Sequence, residues 1–355
     1  MPAFTGTLNS NEIYSAIYNM IISQQVFGDN IKGGVGGLVD EARVDGGLYG
    51  DTKLYYATDV LKSHAWGNDA EAANLLALDR PASPSCQKIV LDKFRQIRLT
   101  LDQYMTKRSW SDEGAFGQFN SVMMGWIRET KKVYDTTTYN AFIGTASSST
   151  GGQSVSINVT TAVGDATGEQ ANRLEAQAIA QGIAKLMRSM KDISRDFNDY
   201  GYLRSYSEDE IKIIWNGDFV DKITNVDLPT IFHKDGLLEF KRVLPARYFG
   251  SVNSATKKGD GTTVRSLIEQ DIGSNHYFAG DLIKNTDTAP AGTSYTVDAN
   301  VICKVVVKLP PYMSAFEVGT SFYNPRSLTE NHYLTFGHNT LEYLKNYPMI
   351  TVSKA

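Results

Sequence analysis

The chain has 355 residues, of which 42% are apolar and 21% charged. Its 35 Lys and Arg against 39 Asp and Glu leave a formal charge of −4. This balance excludes a globally disordered chain and a coiled coil, and it lacks the basic footprint of a dedicated DNA binder. At this length a single core stops growing economically, so two lobes, or one domain with large excursions, are expected. No run approaches the ~20 apolar residues that span a bilayer, so no membrane is expected as a partner. No Lys or Arg precedes Lys32, so the positive start of a secretory signal is missing and the chain reads as made in a reducing compartment. Cys86 and Cys303 are far apart, and the reading is two buried free thiols, with a single bridge left open.

Residues 9–27 read as a helix capped by Asn9 or Ser10, with Ile13, Ile17, Met20 and Ile21 on one face. Gly33, Gly34, Gly36 and Gly37 follow, then Gly46, Gly47 and Gly50, which suggests a bendable arm. Residues 52–62 have a strand-like composition, with Leu54, Tyr55, Tyr56 and Val60. Residues 87–105 alternate apolar and charged positions through Ile89, Leu91, Ile97, Leu99 and Leu101, the period of a two-faced strand. Together they predict a long hairpin over 48–105, whose tip holds Trp66 and the Pro81–Pro84 turn. An arm of that length cannot bury both faces within its own domain and calls for a partner.

Residues 111–143 predict a long helix. Asp112 and Glu113 suit its start, and Phe116, Phe119, Met123, Trp126 and Ile127 line one face, continued by Val133 and Tyr134. The Thr136–Thr138 run should weaken it near its end. Of the 24 residues in 145–168, 14 are Ser, Thr or Gly, which predicts an exposed connector and a lobe boundary. Residues 169–193 form an amphipathic helix with Ile179, Ile183, Leu186, Met187 and Met190 on its stripe. Strands follow around Ile211–Trp215 and Val301–Leu309, then over Thr320–Val352, with polar loops at 254–263 and 284–296. No internal repeat is present, and the class is α+β.

Signatures of chemistry are sparse. There is no zinc-protease helix, no Lys-containing phosphate loop and no nucleophile elbow. The 33–37 glycines lack a feeding strand and a following Lys-Ser/Thr, so they read as a hinge. His332 and His338 are six apart on a strand and could share a face, but a metal would need a third ligand such as Glu330. The acidic run Glu208-Asp209-Glu210 reads as a solvated face or a charged partner contact. Asn158-Val159-Thr160 fits a glycosylation pattern but is inert without secretion. No catalytic, cofactor or metal site is expected. The 19 Tyr, 15 Phe and 4 Trp tilt slightly toward an assembly protein.

Three segments and the order of elements resemble a known family. Asn324-Pro325-Arg326-Ser327-Leu328, followed by Asn331-His332-Tyr333, looks like its C-terminal Asn-Pro-Arg stretch. Asp196-Phe197-Asn198, then Arg204-Ser205-Tyr206-Ser207-Glu208-Asp209 and Ile213-Ile214, is similar to the segment after the helix of its A-domain. Lys93-Phe94-Arg95-Gln96, leading to Leu101 and the Phe116–Ile127 helix, resembles its hairpin return strand. The family is the major capsid protein of tailed double-stranded DNA phages, with the Hong Kong 97 fold. The pattern is closest to small podoviruses with protein-primed genomes.

The resemblance implies an N-terminal helix and arm (1–47), an extended hairpin or E-loop (48–105), a spine helix with part of the P-domain (106–144), an A-domain (145–300) and P-domain return strands (301–355). It implies a structural subunit, not an enzyme, that self-assembles as hexamers and pentamers of an icosahedral shell, placed in the virion and built in the host cytoplasm. Its expected partners are copies of itself, a scaffolding protein, a portal at one vertex, and packaged double-stranded DNA without sequence-specific binding. The expected intersubunit residues are Tyr55, Tyr56, Leu61, Trp66, Phe94 and Ile97. A tail or sheath subunit, and an enzyme with a site of Asp, Glu and Tyr, stand as alternatives.

Overall fold

A computed structural model describes residues 37–46, 51–63, 78, 80–102, 113–144, 153–224, 242–253, 270–272, 275–277, 294–298, 300–339 and 341–355. The helix expected at 9–27, the glycine run apart from Gly37, and the 254–263 loop lie outside them. In chain order the elements are α1 (Leu38–Ala42), β1 (Arg43–Asp45), β2 (Thr52–Ala57), β3 (Ser85–Asp102), α2 (Glu113–Gly144), β4 (Gln153–Ile157), α3 (Thr160–Val163) and α4 (Gly168–Lys191). They continue with β5 (Lys212–Asn216), α5 (Gly217–Thr224), β6 (Arg242–Leu244), β7 (Gly250–Asn253), β8 (Gln270–Ile272), β9 (Asn275–Tyr277) and β10 (Ser294–Val297). The last are β11 (Val301–Val306), β12 (Tyr312–Asn324), β13 (Thr329–Asn339) and β14 (Met349–Lys354).

The first sheet has the order β1-β12-β13-β3-β2. Among the described residues, the two strands of the hairpin face each other over Thr52–Ala57 and Ser85–Val90, from Thr52↔Val90 to Ala57↔Ser85. From Leu91 to Asp102, β3 pairs instead with β13. An 18-residue strand carries more backbone donors and acceptors than a six-residue partner can satisfy, and β13 takes the remainder. The alternation read in the sequence holds: Ile89, Leu91, Ile97 and Leu101 are buried and Leu99 is partly so.

α2 covers this sheet. Its Met123, Ile127 and Tyr134 are buried, and Ile127 and Tyr134 pack with Ile97, Leu334 and Phe336. The threonine run does not weaken the end. The helix continues to Gly144, and residues 137–144 are buried throughout. Burial on all sides outweighs the small propensity penalty of β-branched residues.

The second sheet has the order β4-β14-β11-β5-β6. β11 is buried along its whole length, as its β-branched composition suits in a central strand covered on both faces. One face meets α4, whose Ile179, Ile183, Leu186, Met187 and Met190 pack with Trp215, Cys303, Val305, Ile350 and Val352. The other meets the last turns of α2, where Tyr139, Phe142 and Ile143 pack with Ile214, Val306 and Met349. Sheet pairing thus crosses residue 300, since β11 and β14 join β4, β5 and β6 rather than β12 and β13.

Two polar stretches hold more structure than their composition suggests. Within the Ser/Thr/Gly-rich 145–168, Gln153–Ile157 forms edge strand β4, parallel to β14. Val155 and Ile157 alternate with serines, and this period of two was masked by the polar count. Asn158 accepts a hydrogen bond from the Thr161 N–H and so begins α3. In 284–296 the segment from Ser294 pairs with β7 as β10.

A buried polar cluster ties the first sheet to α2. Tyr134 Oη lies 2.7 Å from His338 Nε2, and His338 Nδ1 lies 2.7 Å from the Asn339 carbonyl. A carbonyl only accepts, so Nδ1 carries the proton, and in the neutral ring Nε2 accepts from the tyrosine. Tyr312 donates to Asp135 at 2.6 Å, and Lys131 and Arg43 reach the same carboxylate at 3.0 and 3.5 Å. Burial pushes the Tyr312 and Tyr139 phenols well up, so both stay protonated donors.

Two predictions follow from packing and burial. A Cβ on Gly144 would sit 2.0 Å from the Tyr248 carbonyl oxygen, whereas one on Gly125, within the same helix, meets nothing within 4 Å. Urea denaturation should show Gly144→Ala costing about 1–3 kcal/mol and Gly125→Ala gaining about 0.5–1 kcal/mol. Burial holds the Lys304 ammonium down at about 7. Above that pH the unfolded chain binds the extra proton, so stability rises with pH. Between about pH 7 and 8.5 the wild-type stability should climb relative to Lys304→Met by about 1 kcal/mol per unit.

Candidate intersubunit interface

The described surface carries two clusters of exposed large apolar side chains. The first lies on β2 and the segment after it: Leu54, Tyr56 (64% exposed), Val60 and Leu61 (79% exposed). The second lies on β12 and its turn into β13: Val318, Phe322 (61% exposed), Tyr323 and Leu328. The turn is the Asn324-Pro325-Arg326 stretch. Asn324 Oδ1 accepts the Arg326 N–H at 3.1 Å, and Leu328 takes a left-handed φ of 54° before β13 begins. Both clusters belong to the first sheet. β2 pairs with one end of β3 and the Thr329 end of β13 pairs with Asp102 at the other. Tyr56 stands opposite Cys86, and Phe322 is, through Asn331, at the level of Thr100, so at about 3.3 Å per residue roughly 45 Å of β3 separates the two aromatics. Isolated exposed apolar residues are ordinary, but clusters of this kind mark interaction surfaces.

The expected contact residues divide by environment. Tyr56 and Leu61 are exposed. Tyr55 is half-buried against the cluster of Ile89, Leu91, Met313 and Leu344, and Phe94 is half-buried on β3. Ile97 is in the core with Ile127, Tyr134, Leu334 and Phe336, because the β3 alternation turns it toward α2. Trp66 lies outside the described residues. The β12 cluster was missed: Val318 and Phe322 read as strand residues, and nothing in their spacing tells that no helix covers them.

The segment that leaves β2 is tied to the body by polar contacts. The Asp59 carboxylate accepts from Arg195 Nη1 at 2.8 Å, from the Leu203 N–H at 3.0 Å and from the Val60 N–H at 2.9 Å. Arg195 and these backbone donors hold its carboxyl at about 2, so this charge is kept down to strong acid and lost only as pH falls through that value. Arg204 Nη2 donates to the Thr58 carbonyl at 2.7 Å and to Asn346 Oδ1 at 3.0 Å. On the return strand, Ser85 Oγ and Tyr202 Oη are 2.6 Å apart.

The other candidate groups have structural places. His338 is sealed beneath α2, and His332 lies 3.8 Å from Glu330. Among the described residues no group of His, Cys, Asp and Glu could hold a metal. Glu208-Asp209-Glu210 is a 3-10 turn boxed by Ser207 and Glu210, and Glu208 pairs with Lys191 at the end of α4. Both cysteines are free, with Cys303 buried and Cys86 exposed, where two buried thiols were expected.

The fold is that of a tailed-phage capsid subunit. A chain of the Staphylococcus phage Andhra capsid superposes with a TM-score of 0.61 at 9% identity, covering 100% of this chain and 88% of that one. A chain in the structure of the head fiber and inner core protein gp22 of native bacteriophage P68 gives 0.58 at 10% identity, covering 99% and 88%. No protein of curated function matches the sequence. Residues 5–352 match the Phi29-like phage major capsid protein family, and the chain belongs to that family. It is a structural virion protein that assembles with copies of itself, and not an enzyme.

The two environments on the hairpin are separable by stability. Ile97→Ala should cost about 2–5 kcal/mol in urea denaturation of the unassembled subunit, as for a filled core site. Tyr56→Ala should shift it by less than about 0.5 kcal/mol, as for an uncovered one.

Proposed function

We propose that the subunit forms hexamers and pentamers of an icosahedral head enclosing double-stranded DNA. The hairpin region 48–105 lies across the adjacent subunit, and the lobe at 145–300 meets its neighbours near the capsomer axis. The observation that carries this reading is the pair of apolar clusters at opposite ends of β3. Two different patches on one subunit suit heterologous contact, in which one patch meets the other patch of the next copy. Such contacts close into rings when the rotation fits. Individually modest contacts, repeated in every subunit, then suffice by avidity. Tyr56 and Leu61 lead the contact set, with Tyr55, Trp66 and Phe94 beside them, while Ile97 serves the subunit core.

Family likeness supports a separate scaffolding protein, a portal at one vertex and assembly in the host cytoplasm. The formal charge of −4 supports weak contact with packaged DNA and no reading of its sequence. An inner wall that gripped phosphates would hinder dense packing.

Negative-stain electron microscopy tests the reading. The wild-type chain, expressed with its genomic neighbours, should give uniform closed shells or free rings of five and six. Tyr56→Ser with Leu61→Ser should leave folded subunits that form neither. Helical tubes, or small particles only from the wild type, would overturn it.

A further inference from the structure

Between Ala57 on β2 and Ser85 on β3 the described stems are residues 58–63 and 80–84, neither of them in a strand. Both stems are bound to the same body segment, the turn after α4. Thr58 and Asp59 hold the outgoing stem through Arg204, Arg195 and the Leu203 N–H. Ser85 holds the return stem through Tyr202. The turn is itself braced: Ser194 and Arg204 exchange backbone hydrogen bonds of 3.0 and 2.9 Å. Asn198 donates to the Tyr202 carbonyl and accepts from its N–H. The Arg204 guanidinium lies over the Tyr202 ring and also binds Asn346, so one side chain joins three separate parts of the chain.

The contrast with the rest of the hairpin is chemical. The paired strands rest on buried Ile89 and Leu91, which cannot leave Met313 and Leu344 without exposing apolar surface. The stems rest on hydrogen bonds whose partners water can replace. An apolar pivot and a polar tie divide two tasks: the first holds the strands on the body, and the second fixes how the stem at 58–63 leaves β2. Leu61, at 79% exposed, lies two residues beyond Asp59.

We propose that Asp59 and Arg204 are positioning residues of assembly, a latch that sets the direction in which the stem at 58–63 leaves β2. The inference rests on the intersubunit reading of the hairpin. Two carboxylate oxygens accepting three donors, and a planar guanidinium shared between the Thr58 carbonyl and Asn346, restrict direction more than a lone ion pair would.

The test uses the full chain with Cys86→Ser and spin labels at Leu61→Cys and Ser189→Cys, the second on the exposed face of α4. Unassembled subunits with the latch should give one narrow interlabel distance. Asp59→Ala should lose that single distance for a broad distribution, while its thermal midpoint stays close to that of the parent. Asp59→Asn keeps an oxygen for the Leu203 and Val60 N–H groups and should retain most of the narrow population, a rescue that bulk stability does not predict. In shells built without labels, Asp59→Ala should lower the share of wild-type diameter about ten-fold, the scale of one charge-assisted hydrogen bond. An unchanged narrow distance, or Asp59→Ala shells of wild-type diameter, would overturn the latch. Failure of the wild type to form any shell would instead strike the assembly reading, and the distance measurement on free subunits would still decide the latch. Should Asp59→Ala not fold, Arg204→Lys, which keeps the charge but loses the fork, carries the same readouts.

Discussion

The subunit is organised by the burial of one helix end between two sheets. The last turns of α2 place Tyr139, Phe142 and Ile143 against the second sheet, while Tyr134, one turn earlier, packs under the first. A helix end with residues 137–144 all buried cannot be shifted without opening both cores. Several polar groups drawn in with it are paired: Tyr312 with Asp135, Asp135 with Lys131 and Arg43, Tyr134 with His338, and Tyr139 with the Pro310 carbonyl. A polar group buried without a partner costs more than its hydrogen bond returns, so these pairings allow only one seating of the helix. From Gly144 the chain passes close beneath the Tyr248 carbonyl, where no side chain fits.

The outer surface reverses this logic. On the face of the first sheet away from α2, side chains bind one another across strands: Gln96 with Thr335, and Thr100 with Asn331. Such pairs wet β3 and β13. The exposed apolar side chains lie on the outer strands instead, Leu54 and Tyr56 on β2 and Val318 and Phe322 on β12, the last two in register with Thr335 and Asn331. A surface that is polar on its inner strands and apolar on its outer ones favours edge contact over face-to-face stacking.

Much of this was legible in the sequence wherever a period was strong. The alternation through Ile89, Leu91, Ile97 and Leu101 and the stripe from Ile179 to Met190 mark a strand and a helix, because each buries one face on a regular register. Sequence neighbours do not say which strand partners which. The pairing of β3 with β13 joins segments more than 200 residues apart, so nothing local in 87–105 tells that Leu91–Asp102 pairs away from β2. Composition misled at 145–168, where serines occupy the exposed positions of an edge strand, and at Thr136–Thr138, where burial decides the helix. Ile97 looked like an arm residue for the same reason: only the β13 pairing and α2 above it reveal a core. The Asp59 latch had no local signal, since its donors come from Arg195 and Leu203 across the fold.

The strand order also imposes a sequence in time. In the first sheet β13 lies between β12 and β3, and in the second β14 lies between β4 and β11. Both of these inner strands come late in the chain, after residue 328. A growing chain that has already made the hairpin, α2 and α4 therefore possesses neither sheet in finished form. Its early strands must wait for central neighbours that have not yet been synthesised. The first sheet therefore joins β12 to β3 only once β13, at Thr329–Asn339, has been made, which leaves its closure among the last events of synthesis.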